Sequence, residues 1–181
     1  MNRRQSLLAL STVSAHALFP DVVARFGRAL AAPAEAVWRP EVLSVEQGAL
    51  LADLVETIIP ATDTPGARAA RVHVFVDLVL AHCRTASERE AFVKGLDRVA
   101  SELRTRHGSD VTAAPAASRE ELLRRLDASG DPFVRALKEL TVLGYCTSEV
   151  GATQGLAYVD VPGDYHGCVD LKAGQKGWAT R

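Results

Sequence analysis

The sequence predicts an all-α fold: a small bundle of about five or six helices with an irregular C-terminal arm. Three observations carry this. Aromatic residues make up only 6% of a chain that is 48% hydrophobic, and alanine and leucine dominate, which favours helices over strands. Apolar residues recur at three- and four-residue spacing in several separate stretches. Pairs able to cap a helix start stand before most of those stretches. The length of 181 residues suits one globular domain, residues 37–181, behind a signal segment, residues 1–36. A formal net charge of −1, with Lys and Arg dispersed among Asp and Glu, gives no basis for binding nucleic acid through phosphates.

The first helix opens at Ser44, which forms a capping box with Gln47, and carries Leu50, Leu51, Leu54, Val55, Ile58 and Ile59. Pro60 stops it, and Pro65-Gly66 mark a turn. The run from Val72 to Cys83 is apolar apart from His73, Asp77 and His82. It reads as a buried helix or a strand, and its length and helical neighbours favour a central helix. Thr85 with Glu88, or Ser87 with Glu90, caps the next helix, whose stripe is Phe92, Val93, Leu96, Val99 and Leu103. Gly108 suits the left-handed residue after its end. Ser118 with Glu121 reads as a further capping box ahead of Leu122, Leu123 and Leu126. Asp131-Pro132 opens the last helix, with Phe133, Val134, Leu137, Leu140 and Leu143 as its apolar series. Trp38 and Trp178 bracket the domain and are expected to dock its ends.

The N-terminus carries Arg3 and Arg4 ahead of a modest apolar run from Leu7 to Leu18, the pattern of a twin-arginine export signal. His16, Asp21 and Arg25 make that run too short and polar to span a bilayer. Ala15-His16-Ala17 and Ala34-Glu35-Ala36 are both candidate cleavage points. An exported chain meets an oxidising compartment, where Cys146 with Cys168 is the preferred disulfide and Cys83 with Cys168 its competitor. Cys83, in an apolar run, reads as a buried thiol if unpaired.

The sequence holds no obvious catalytic set. No two of the five histidines have the spacing that puts two metal ligands on one helical face, so they read as surface or core residues. There is no CxxCH, no GxGxxG after a strand and no GxSxG. The expectation is therefore no catalytic residue, no metal and no cofactor bound by this chain.

The most specific-looking segment is GYCTSEVGATQGLAYVDVPGDYHGCV, residues 144–169. It contains two of the three cysteines, all three tyrosines and five of the thirteen glycines, and no lysine or arginine. This segment, extended back to Leu140, and TIIPATDTPGA at residues 57–67 resemble the two signature blocks of the gluconate 2-dehydrogenase subunit 3 family. The closing AGQKGWA at 173–179 is similar to that family's end. The resemblance covers about residues 42–179.

The resemblance implies a non-catalytic small subunit of a membrane-associated, FAD-dependent sugar, sugar-acid or polyol dehydrogenase. The partner would be a large flavoprotein of the glucose–methanol–choline type, which holds the FAD, often with a multi-haem cytochrome c subunit. The small subunit would help the large one fold and carry it by the twin-arginine route to the periplasmic side of the inner membrane. Arg3 and Arg4 match that role, although Asn2 and Gln5-Ser6-Leu7 depart from the fullest export motif. The candidate partner-interface residues are Tyr145, Thr147, Ser148, Glu149, Thr153, Gln154 and Tyr158. Tyr145 and Cys146 are expected to turn inward, and Thr147 to Gln154 to lie near the partner. Few charges with aromatic and polar groups match the composition of interface cores. The alternatives are a freestanding periplasmic binding or structural protein, and a small oxidoreductase using Glu149, Tyr145 and His166.

Overall fold

The computed structural model describes residues 38–108, 111–161, 163 and 170–179. Arg3, Arg4, both candidate cleavage points, His166 and Cys168 lie outside them. Among the described residues the chain forms five α-helices and one short π-helical turn, π1. The helices are α1 (Val45–Ile58), α2 (Val72–His82), α3 (Ala86–His107), α4 (Ala116–Ala128) and α5 (Pro132–Thr147), and π1 is Gly151–Gly155. The expected all-α bundle is therefore the fold. No described helix is long and apolar enough to cross a membrane.

Helices α1 and α5 are central, each packing against all four of the others. Leu50, Leu51, Leu54 and Val55 of α1 meet Leu137, Leu140 and Tyr145 of α5 in one apolar core. Val72, Val76 and Leu80 of α2, Leu96, Val99 and Leu103 of α3 and Leu122 of α4 close it. The Val72–Cys83 run is helical because it must bury most of its circumference between α1 and α5; a helix satisfies its own backbone donors and acceptors in that dry setting.

The caps define most of the boundaries. Ser44 and Gln47 exchange the reciprocal bonds of a capping box, and so do Thr85 and Glu88, which settles the α3 start at Thr85. The Asp131 carboxylate accepts from the backbone N–H groups of Phe133 and Val134 and pairs with Arg98. Burial alone would raise its pKa, but those charge-assisted bonds outweigh burial and hold it below the usual carboxylate value. Ser118 does not form the expected capping box: α4 starts at Ala116, and the Pro115 carbonyl accepts from Ser118 and Arg119. Proline fixes φ near the helical value and its carbonyl accepts the first helical bonds, so the helix begins before Ser118 is reached. Gly108 has positive φ (+93°) but an extended ψ (−170°), so it leaves α3 sharply without the left-handed helical turn.

Two further expectations are corrected. Cys83 is exposed at the C-cap of α2, because the helix ends there and its side chain falls outside the core. Leu143 is 48% exposed, because the buried stripe of α5 passes through Leu140, Thr141, Gly144 and Tyr145 and leaves Leu143 on the opposite side.

Candidate partner interface

The two sequence blocks, 57–67 and 140–169, are brought together by one side chain. Tyr145, in the last turn of α5, is buried, and its hydroxyl donates to the carbonyl oxygen of Pro65 at 2.8 Å. On the far side of that bond, Glu56 clasps the loop after α1. Its carboxylate accepts from the backbone N–H of Ala61 at 3.0 Å and of Arg68 at 2.7 Å. A Cβ at Gly66 would meet the Glu56 carboxylate, so a larger residue there would push that side chain off its loop bonds. The 60–68 loop is thus held near both ends by Glu56 of α1 and between them by Tyr145 of α5.

The chain after α5 folds tightly around the same tyrosine. The Ser148 hydroxyl donates to the Tyr145 carbonyl at 2.7 Å and accepts from the Gly151 N–H at 2.9 Å. A Cβ on Gly151 would overlap the Tyr145 carbonyl oxygen, so only glycine permits this approach. π1 follows directly, and Gly155 packs against the Tyr145 ring. The C-terminal arm then returns: Ala157 and Trp178 form an isolated parallel bridge, and Lys176 Nζ donates to the Gln154 carbonyl at 2.6 Å.

The candidate interface residues divide by what their polar atoms do. Tyr145 is inward, as expected, with Cys146 partly buried beside the core. Thr147 and Thr153 are exposed, but their hydroxyls donate to carbonyls one turn back, Leu143 at 2.7 Å and Glu149 at 2.7 Å. Ser148 is spent on the turn around Tyr145. Tyr158 is 50% exposed, with its hydroxyl 3.3 Å from Asp160. Among the described residues, only the Glu149 carboxylate and the Gln154 amide in 147–154 are exposed without an internal hydrogen-bond partner. The candidate Cys146–Cys168 bridge falls outside the described residues at Cys168. Cys83 and Cys146 are not joined to each other.

The sequence reading missed Val142 and Leu143. Both face outward from α5, 51% and 48% exposed. The signal was present: the outward face of α5 runs Arg135, Glu139, Val142, Leu143, losing its charges after the second of these.

The catalytic alternative gains no geometry. The Tyr145 hydroxyl is committed to Pro65, Glu149 stands in solvent, and His166 lies outside the described residues. A concavity of about 510 Å³ between α2, α3 and α5 has an apolar floor that includes Phe92, Phe133 and Leu140. Among its rim charges Arg98 pairs with Asp131 and Arg84 with Glu88, and no residue of 145–154 lines it. Among the described residues no group of three or more His, Cys, Asp or Glu side chains is placed to hold a metal ion.

Comparison with known proteins decides the family. Residues 45–163 match the family described as gluconate 2-dehydrogenase subunit 3. The chain belongs to that family. The matched span contains all five helices, the Tyr145–Pro65 junction and the 147–154 edge. Gluconate 2-dehydrogenase subunit 3 is by its description one subunit of a dehydrogenase, which makes this chain an accessory component of such a complex. No curated protein and no solved structure matches the chain.

Proposed function

We propose that this chain is a non-catalytic small subunit that helps a large FAD-dependent dehydrogenase subunit fold, mature and leave the cytoplasm by the twin-arginine route. The large subunit, of the glucose–methanol–choline type, holds the FAD and acts on a sugar, sugar acid or polyol. A multi-haem cytochrome c completes the complex at the periplasmic face of the inner membrane. The family match over 45–163 carries this reading. Arg3 and Arg4 support the export step.

The edge from Thr147 to Gln154 meets the large subunit in this reading. Glu149 and Gln154 support it, because their unspent polar ends are free to bond a partner without breaking internal bonds. The junction at Tyr145 holds that edge rigid before docking, which lowers the ordering cost of association.

Expression of the large subunit with and without this chain tests the reading. Without it, or with Arg3 and Arg4 both changed to Lys, dehydrogenase activity is expected to disappear from the periplasm. Full periplasmic activity in its absence would overturn the assignment.

A further inference from the structure

The concavity between α2, α3 and α5 is an open groove with an apolar floor of Leu80, Phe92, Phe133 and Leu140. On its rim, Glu139 makes no hydrogen bond or ion pair among the described residues. Along α2 the groove continues the face that holds the leading segment. His73 meets Trp38, Asp77 binds the backbone of residues 41–43, and Leu80, on the same helical face, lines the groove.

The chain ahead of Trp38 carries a matching pattern. Phe19, Val22, Val23, Phe26 and Leu30 recur at the spacing of one apolar helical face. Asp21 and Arg28 fall opposite that face in the same pattern, and Arg25 falls beside it. All of these follow the apolar run of the export signal, Leu7 to Leu18. The seven residues from 31 to 37 can span up to about 25 Å. The path along α2 from His73 to Leu80 is about 10 Å.

We propose that residues 19–30 of this chain seat their apolar face in the groove between α2, α3 and α5, with Arg25 against Glu139. The tether favours the chain's own segment over that of a second copy. A short link to the docked Trp38 holds residues 19–30 at an effective concentration of order millimolar, without the entropy loss of bringing two molecules together. The consequence concerns the signal. Removal after Ala17 keeps residues 19–30 with the domain and the groove covered, and removal after Ala36 opens it. This goes beyond the accessory-subunit reading, and its test needs no large subunit.

The test uses the full, uncleaved chain purified by itself, and reads hydrogen exchange over residues 19–30. Phe26→Ser, on the segment, is expected to speed that exchange by about 10-fold or more. Ala91→Glu, on the exposed α3 wall of the groove, is expected to do the same from the other side. Arg25→Glu is expected to speed it by about threefold, and Glu139→Arg in the same chain to restore it. Arg135→Glu, exposed on α5 outside the groove, should leave it unchanged. A photo-cross-linking phenylalanine analogue at position 26 should attach within the same chain to residues 88–98 or 132–140. Exchange over 19–30 that is already fast and indifferent to Phe26→Ser would overturn the inference. So would cross-links to any other part of the bundle. Cross-links between two chains would also overturn it and identify a second copy as the occupant. Slow exchange seen only after the large subunit is added would overturn it too, and would leave the accessory role standing.

Discussion

The segment that leads into the bundle and the segment that leaves it are anchored differently. Leading in, Trp38 lies against α1 at Gly48, where a Cβ would strike its ring, and meets His73 of α2 edge-on at 5.0 Å. The wholly buried Asp77 carboxylate then accepts from three successive backbone N–H groups, Glu41 at 2.7 Å and Val42 and Leu43 at 3.1 Å. Leading out, residues 145–155 curl around Tyr145 through hydroxyl bonds and glycine contacts and leave Glu149 and Gln154 unspent. The first segment spends its polar groups on the fold. The second spends only what it needs to stay rigid and keeps two polar side chains facing out. That difference separates an anchor from the edge proposed to dock.

The comparison is broken most severely at Asp77. Asp77→Ala would strand three backbone donors, at roughly 1–3 kcal/mol each before water relieves some of them. A loss of about 3–5 kcal/mol in urea unfolding is expected. A loss below about 1 kcal/mol would mean that the leading segment is not an anchor.

His73 makes the same segment sensitive to pH. Burial first, and then the positive charges of Arg68 and Arg71, lower its pKa from 6.5 to about 4. The unfolded chain therefore takes up a proton between pH 6.5 and 4 that the folded chain refuses. The His73 contribution is fully present above pH 6.5 and is lost as pH falls towards 4, to a total of about 3 kcal/mol. His73→Gln should flatten the fall in unfolding free energy across that window. Parallel pH profiles for the two proteins would disprove the effect.

The trailing segment should respond more weakly. Gly151→Ala forces a methyl into the Tyr145 carbonyl and is expected to cost about 2–3 kcal/mol, with faster hydrogen exchange over 145–155. Tyr145→Phe keeps the ring and loses one hydrogen bond to Pro65, an expected cost of about 1 kcal/mol. Its sharper readout is hydrogen exchange in the 60–68 loop, which should quicken because the loop loses its tie to α5. Unchanged exchange there would separate the two sequence blocks mechanically. The smallest effect belongs to Glu149→Ala with Gln154→Ala: within about 0.5 kcal/mol of the original stability, but weaker assembly with the large subunit. Loss of folding with unchanged affinity would reverse the assignment of that edge.

Helix positions were legible in the sequence because the groups that set them lie within three or four residues of one another. Ser44 reaches Gln47, Thr85 reaches Glu88, and Asp131 reaches Phe133 and Val134. The failure at Ser118 has the same local character: two start signals compete, and Pro115 acts first. The facing of Leu143 was not legible, because a leucine three residues after Leu140 fits a helical stripe until the neighbours fix the helix's rotation.

By itself, the sequence determined the all-α class, most helix limits and caps, and the two blocks that mark the family. Tertiary packing decided that Tyr145 joins those blocks across 80 residues, that Asp77 anchors a segment some 35 residues upstream, and that Val142 and Leu143 face outward. Propensity, capping and periodicity act within a turn or two of chain. Which distant carbonyl a tyrosine reaches, and which face of α5 stays open, depend on how α1, α2, α3 and α4 share the space around it.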